Sequence, residues 1–356
     1  MSLPYFPHEI RLEGVKGVGT IQLNLEPQQQ VYCLIGTNGV GKTKLLDRLF
    51  LNLLCKCSHI LKSDEFKDRL SVLVKSRELD FNFLSQGEVD INFVYIGAHV
   101  RSLLTVEYAY TEPLGSLSER RTNYFKQLLD SSDNQIINLD SHTNLHNWIV
   151  SRALSSNPYQ KKEDNRQIEI ETVLKLLHQI DQRVDPEFLE ITGEPRVFIK
   201  IEGQKRELSQ LSSGFTSILK IIQSIVSGYG YFTNEVQLQH VAGLVLIDEI
   251  ESHLHNQWLV KIIPMLKRLF PNTIFIVTTH SPIVLTQLKH GEAYRLQRDD
   301  DGVVHSHLIA HPDKAVFVDL LNDAFGVDLN QQKLDRISAH DQQQVKAQLL
   351  DWFSEE

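Results

Sequence analysis

The segment from residue 31 to residue 50, VYCLIGTNGVGKTKLLDRLF, constrains the fold more than any other part of the chain. An apolar run, VYCLI, precedes a glycine-rich loop, and leucines recur at helical spacing beyond it. The loop fits the pattern G-x-x-x-x-G-K-[ST], with Gly36, Gly41, Lys42 and Thr43 at the specified positions. The segment therefore predicts a buried strand, a tight loop and a helix, which are the units of an α/β fold.

This loop has the chemistry of a phosphate site. Glycines allow the backbone N–H groups around Asn38 and Gly39 to converge on phosphate oxygens, and the following helix adds the positive end of its dipole. Lys42 can reach the outer phosphates, and the hydroxyl of Thr43 can ligate Mg²⁺. An ordinary glycine turn is the alternative interpretation, but the flanking strand and helix favour nucleotide binding.

Two adjacent carboxylates end a second apolar run, in GLVLIDEIESH at residues 243–253. Asp248 is placed to hold the magnesium shell, and Glu249 points to where a water could attack a γ-phosphate. Alone, the pair could be a strand end followed by a solvated turn. Together with the phosphate loop it predicts nucleotide hydrolysis.

Two further segments are ambiguous when taken singly. In ELSQLSSGFTSILKII, Ser212, Ser213 and Gly214 directly precede an apolar helix, and by themselves they could be a helix cap. In FIVTTHSPIVL, His280 follows a buried strand, where a histidine is more often a structural hydrogen-bonding group than a catalyst. Their order after the phosphate loop and around the carboxylate pair favours a role at the nucleotide.

The four segments in this order resemble those of ABC-type ATPases of the soluble SMC, RecF and OLD group. The phrase IDEIESHLHNQW is similar to the "DEPE-x-HLHP" sequence of that group, and LSSGFTSIL is similar to signatures of bacterial antiphage ATPases of the Septu and PARIS type. The resemblance covers roughly residues 1–110 and 195–310. It implies an α/β P-loop NTPase of the ABC type, with a β-rich N-terminal subdomain, a parallel core sheet and an inserted helical lobe, that uses ATP and Mg²⁺.

In this group a single subunit does not complete the ATP site. The resemblance implies that one copy contributes Lys42, Thr43, Asp248, Glu249 and His280, and that a second copy contributes Ser212, Ser213 and Gly214. Binding would close a homodimer or higher homo-oligomer, and hydrolysis would reopen it. Because no zinc motif, metal-nuclease cluster or catalytic triad is evident outside this site, we expect the switch to act on a separate effector, a nuclease or toxin, in antiphage defence.

A RecF-like DNA-binding clamp is the alternative function. The net charge of -9 excludes a surface coated with basic residues, so any nucleic-acid contact must be local. Candidate phosphate-contacting residues are Arg120, Arg121, Lys161, Lys162 and Arg166. A solvated helical face explains these residues equally well.

The remaining patterns define the expected organisation. We expect the N-terminal half of the head at residues 1–112, a helical lobe at 113–195, the C-terminal half at 196–310 and a helical extension at 311–356. Neither a signal sequence nor a membrane-spanning run is present, which predicts a cytoplasmic protein.

Four further side chains have open interpretations. Gln86 could be a glutamine-loop residue or a turn residue, and Arg101 a site arginine or a surface ion-pair partner. His253 and His255 could ligate a metal or belong to the loop after the carboxylates, and the latter is the better match because histidines two residues apart diverge on a helix.

Overall fold

A computed structural model describes residues 6–62, 66, 68–69, 71, 91–98, 114–131, 145–157, 159–194 and 196–325. Within these ranges the chain forms one eight-stranded sheet and one three-stranded sheet, with helices packed against them. Two apolar cores lie in this part of the chain: one contains Cys33, Val245 and Val277, and the other contains Leu34, Leu246 and Ile276. Consecutive residues of the central strands thus alternate between two cores, as expected for a sheet covered on both faces.

The N-terminal part begins with an antiparallel hairpin and continues into the phosphate loop and its helix. The elements are β1 (Glu9–Val15), β2 (Gly19–Asn24), β3 (Val31–Ile35), α1 (Lys42–Lys56), α2 (Ser58–Leu61) and β4 (Asn92–Ile96). All five residues of β3 are buried. A run without polar alternation is what a central parallel strand requires, because both of its faces are covered.

The middle part combines helices with a small antiparallel sheet. The elements are α3 (Leu117–Ser131), α4 (Leu145–Leu154), α5 (Gln167–Ile180), β5 (Val184–Ile191), β6 (Val197–Ile201), β7 (Gln204–Glu207) and α6 (Ser213–Gly230). The strands pair in the order β5-β6-β7. Helix α6 is apolar on nearly every side because it packs between the sheet and α5.

The C-terminal part returns to the large sheet. The elements are β8 (Gly243–Ile247), α7 (Asn256–Leu259), α8 (Ile262–Leu269), β9 (Thr273–Thr278), α9 (Pro282–Leu285), β10 (Ala293–Arg298), β11 (Val304–Leu308) and α10 (Phe317–Phe325). The large sheet has the order β1-β2-β11-β10-β3-β9-β8-β4, and the neighbours from β10 to β4 run parallel.

This order positions the functional residues. Strand β9 lies between β3 and β8, and all three run in the same direction. The phosphate loop follows β3, the carboxylate pair follows β8, and Thr279 and His280 follow β9. Because parallel strands end at the same sheet edge, three segments that are far apart in sequence meet there.

The predicted α/β fold, with a phosphate loop and a parallel core sheet, is confirmed. One detail of the predicted helical segment is wrong: Val184–Ile191 forms a strand, whose sequence VDPEFLEI pairs with β6. The part of the predicted helical extension beyond residue 325 lies outside the described residues. None of the described helices has the length and apolar character needed to cross a bilayer.

Candidate functional site

Two of the three glycines in the phosphate loop could not be replaced by a larger residue without displacing a neighbour. A Cβ on Gly36 would lie 2.7 Å from the carbonyl oxygen of Leu296, because β10 packs against the start of the loop. Gly41 has φ 107° and would place a Cβ 2.8 Å from Val18. Gly39 also has a positive φ, 83°, but no atom lies within 4 Å of its Cβ position. The loop is therefore braced at both ends and open at its middle.

Lys42 begins α1 and is nearly buried, with 7% of its surface exposed. Its ammonium donates to the carbonyl oxygens of Gly36 at 2.7 Å and Thr37 at 3.2 Å, which places the charge across the loop. Burial lowers the pKa of this lysine, and the carboxylates of Asp248, Glu249 and Glu251 partly oppose that effect. The ammonium group of Lys42 therefore lies close to these three carboxylates.

Asp248 links the three strand ends. Its Oδ2 accepts from the hydroxyl of Thr43 at 2.9 Å, and its Oδ1 accepts from the hydroxyl of Thr278 at 2.6 Å. The same Thr278 oxygen accepts from the backbone N–H of Glu249 at 2.8 Å. The carboxylate of Asp248 and the hydroxyl of Thr43 are consequently held side by side, which is the donor set that Mg²⁺ prefers.

Glu249 has an uncommon backbone conformation for a non-glycine residue, with φ 45°. Its Oε2 accepts from the hydroxyl of Ser252 at 3.0 Å, and the N–H of Ser252 bonds back to the Glu249 carbonyl at 2.8 Å. A turn therefore orients this half-buried carboxylate immediately after the buried strand. Such backbone strain is often found where a side chain must be aimed.

Glu251 is a residue that the sequence patterns did not single out. Its Oε2 accepts from the hydroxyl of Thr279 and its Oε1 from the backbone N–H of His280, at 2.6 and 2.5 Å. The segment that carries His280 is therefore tied to the segment that carries Glu249. The second glutamate of the run DEIE, two residues after Glu249, was the available signal in the sequence.

Ser212, Ser213 and Gly214, here called the signature residues, lie at the N-terminus of α6. Ser212 is the N-cap, and its hydroxyl accepts from the N–H of Phe215 at 3.4 Å. The hydroxyl of Ser213 lies 3.3 Å from Nε2 of His255. Both serines are exposed, while Gly214 is buried, and a Cβ added to it would lie 2.6 Å from Cδ2 of His255. Within the described residues, neither serine hydroxyl has a hydrogen bond to the phosphate loop of its own chain.

The structure thus brings most of the predicted site residues together, but not the signature serines. The loop residues Gly36 to Thr43, the two carboxylates and the segment of His280 meet at one sheet edge. Ser212 and Ser213 are exposed and, among the described residues, have no hydrogen bond to that group. Gln86 and Arg101 lie outside the described residues.

The five basic residues considered as a DNA-contacting patch do not form one exposed basic surface. Arg120 and Arg166 are buried, with 2% and 1% exposure, and Arg121 donates to the carbonyls of Tyr231 and Phe232. Arg166 pairs with the buried Glu169, and Arg120 donates to the carbonyl of Gly115 and to Oδ1 of Asn234, so the charges of both residues are directed inward.

The site fits a nucleoside triphosphate with a divalent cation. The loop has open space at Gly39, a buried lysine across it and a helix N-terminus below it. Three carboxylates oppose that single lysine. Because a triphosphate would add more negative charge, a divalent cation held at Thr43 and Asp248 would relieve the repulsion.

Comparison with known proteins finds one matching family model and several similar solved structures. A family model described as "AAA domain, putative AbiEii toxin, Type IV TA system" matches residues 115–286. A solved SMC head domain with an extended coiled coil, from Pyrococcus furiosus, aligns with a TM-score of 0.45 and 11% identity over 85% of this chain and 96% of that one.

Two curated relatives are similar to this chain in sequence. The Septu protein PtuA of Bacillus thuringiensis is 26% identical over 319 residues, which are 83% of this chain and 77% of PtuA. The "Retron Ec83 probable ATPase" of Escherichia coli is 38% identical over 109 residues, but these are only 28% of this chain and 20% of the retron protein. The chain is accordingly a P-loop ATPase that is similar to the Septu protein PtuA over most of its length and to the retron protein over a shorter part.

Proposed function

We propose that two copies of this chain associate head to tail around ATP, and that hydrolysis separates them. The observation that carries this proposal is the separation of the two exposed signature serines from the phosphate loop of their own chain. A hydroxyl at a helix N-terminus is suited to a phosphate, yet here it faces solvent. A second copy can place its own bound phosphates against it.

In this proposal each residue has a distinct task. The loop and Lys42 bind the phosphates, and bound Mg²⁺, held by Thr43 and Asp248, supplies charge neutralisation at the outer phosphates. Glu249 orients the attacking water and accepts its proton. His280 follows the same sheet edge, where it can contact the γ-phosphate. Ser212, Ser213 and Gly214 of the other copy close the site.

We further propose that the switch controls a separate effector, a nuclease or toxin, in bacterial antiphage defence. Similarity to PtuA over most of both chains supports this role. Among the residues that the structure describes, no group of three or more histidines, cysteines or acidic residues is arranged to hold a metal ion. The expected location of the destructive chemistry is therefore a partner protein.

The DNA-clamp alternative has less support. Two of its five basic residues are buried, and Arg121 is engaged by carbonyl groups. Lys161 and Lys162 remain exposed. Two lysines on one loop fall short of the row of contacts by which nucleic-acid phosphates are usually held.

The association step is tested by measuring particle mass with and without Mg²⁺–ATP. The wild-type chain should shift to a dimer or larger assembly with ATP. Lys42→Ala should bind no nucleotide and stay unshifted. Lys44→Ala is the matched control, since Lys44 is exposed on the same helix and donates to the carbonyl of Lys16. An unshifted wild-type chain with ATP bound would contradict the proposal.

The effector step needs a separate measurement. Purification from the native host should recover a second protein with nuclease or toxin activity, in an amount that depends on ATP. Defence against phage by this chain expressed alone would contradict an effector of this kind.

A further inference from the structure

The signature serine Ser213 is in contact with a histidine from a distant part of the chain. Its Oγ lies 3.3 Å from Nε2 of His255, across 42 residues of sequence, and both residues are exposed. This contact lies on the surface that the proposed dimer would place against phosphate. The interaction is therefore positioned to affect how the serine meets its ligand.

The two signature serines differ in what holds their hydroxyl groups. The Ser212 hydroxyl is fixed within its own helix, because it caps the N–H of Phe215. Ser213 is the first residue of α6, and no hydrogen bond to that helix orients its side chain. A serine hydroxyl without such a bond distributes over three staggered rotamers. The imidazole of His255 lies within hydrogen-bond distance of this hydroxyl.

His255 is itself held in place. Its carbonyl accepts from the N–H groups of Trp258 and Leu259, at 2.8 and 3.1 Å. Its ring packs so closely on the signature glycine that a Cβ at Gly214 would lie 2.6 Å from its Cδ2. The preceding turn is tied to α6 as well, because Ser217 donates to the carbonyl of His253 at 3.2 Å.

The direction of the hydrogen bond decides whether the serine can bind an anion. If Ser213 donates to the imidazole, its lone pairs face the phosphate and repel it. If the imidazole donates, the serine proton is left for a phosphate oxygen. We propose that His255 is a positioning residue for the signature, and that its Nε2–H donates to Ser213 so that the serine hydroxyl is presented to a γ-phosphate held by another copy.

This inference rests on the proposed ATP-bound dimer. The test is designed so that failure of the role of His255 can be distinguished from failure of the dimer. The full chain with Glu249→Gln, which should prevent turnover, is titrated over concentration with Mg²⁺–ATP, and its self-association constant is measured by mass photometry or sedimentation. Added variants are His255→Ala, His255→Gln, Ser213→Ala and the double variant His255→Ala with Ser213→Ala. Nucleotide affinity at a concentration too low for association, and the melting temperature, are measured for each.

The expected results are specific. His255→Ala should weaken ATP-driven association roughly tenfold, because one hydrogen bond is lost at each of two sites. His255→Gln should restore association to within about twofold, since its amide can donate to the same oxygen. The double variant should be no weaker than Ser213→Ala alone, and nucleotide affinity should not change.

His253→Asn is the matched control, because it removes an imidazole from the same turn while asparagine tolerates the positive φ of 64° found there. It should associate like the parent. Three outcomes would each overturn the role of His255. The first is an equal loss of association in this control, and the second is normal association of His255→Ala when Ser213→Ala associates weakly. The third is failure of His255→Gln to restore association. Absence of ATP-driven association in the parent would instead overturn the proposed dimer.

Discussion

The hydroxyl of Thr43 donates to Oδ2 of Asp248 at 2.9 Å, across 205 residues of sequence. This one hydrogen bond joins the helix after the phosphate loop to the end of β8. It brings together the two ligands that the sequence patterns assigned separately to magnesium. The neighbouring Thr278 extends the arrangement to the third strand end, and it supplies a direct way to test the site.

Thr278→Val should impair magnesium-dependent hydrolysis while leaving the strand intact. Valine keeps the branched shape, but Asp248 Oδ1 and the N–H of Glu249 both lose their hydrogen bond to this residue. We expect roughly 10–100-fold lower activity or magnesium affinity, the usual effect of removing a group that orients a metal ligand. The measurement is ATPase rate against Mg²⁺ concentration.

Thr273→Val is the control for that experiment. It makes the same substitution at the other end of β9 and removes a bond with Tyr229, 2.7 Å long, instead of a bond with the carboxylates. Its magnesium dependence should match that of the wild type. If both variants lose magnesium affinity equally, Thr278 has no special role at the site.

Glu249→Gln should bind ATP but hydrolyse it slowly. Glutamine preserves the size of the side chain and can accept from Ser252, but it cannot take a proton from water. We expect a fall in turnover of about 10²–10⁴-fold, the range for loss of a general base. Parallel measurements of ATP affinity and phosphate release distinguish the two effects. Turnover at the wild-type rate would show that another residue activates the water.

Glu169→Gln should strongly destabilise the fold. The Glu169 side chain is fully buried and accepts from Arg152 at 2.9 Å and Arg166 at 2.7 Å, and both arginines are also buried. Loss of the carboxylate charge leaves two buried guanidinium groups without compensation, at a cost of about 3–5 kcal/mol in the free energy of unfolding. Urea denaturation followed by circular dichroism measures this value.

Glu171→Gln is the matched comparison on the same helix, because Glu171 forms an exposed pair with Lys175 at 3.5 Å. Its expected cost is below about 1 kcal/mol. Similar losses in the two variants would mean that the buried network is not a major contributor to stability.

Lys220 should make stability depend on pH in the alkaline range. It lies on α6 with 6% exposure, and burial lowers its pKa from 10.5 to about 8. Between these two values the unfolded chain holds more protons than the folded one, so the contribution of Lys220 to the free energy of unfolding rises with pH. At pH 7 the charged group opposes folding. Lys220→Met should therefore be more stable at pH 7 by on the order of 2 kcal/mol.

The advantage of Lys220→Met should shrink as pH rises from about 8 towards 10.5. Lys175→Met, at a position with 59% exposure on α5, is the control and should change little with pH. Melting temperatures across the pH series provide the comparison. A constant difference between Lys220→Met and the wild type would exclude a lowered pKa as its cause.

The sequence by itself determined the local chemistry of the protein. Three segments were predictable because each signal is contained within a few consecutive residues. They are the phosphate loop, the strand followed by Asp248 and Glu249, and the strand followed by Thr279 and His280. Apolar runs also indicated buried strands, and all residues of β3, β8 and β9 are buried. Local backbone preference and apolar burial are sufficient for that level of description.

Only the tertiary structure decided which groups meet and which charges are buried. Arg120 and Arg166 look like surface residues in the sequence, yet packing around the end of α6 buries both. Glu251 reaches Thr279, and His255 reaches Ser213, because strand order and helix packing bring distant segments together. Periodicity reports how a residue relates to its own helix or strand, whereas the partner of a polar side chain depends on contacts between elements that are remote in sequence.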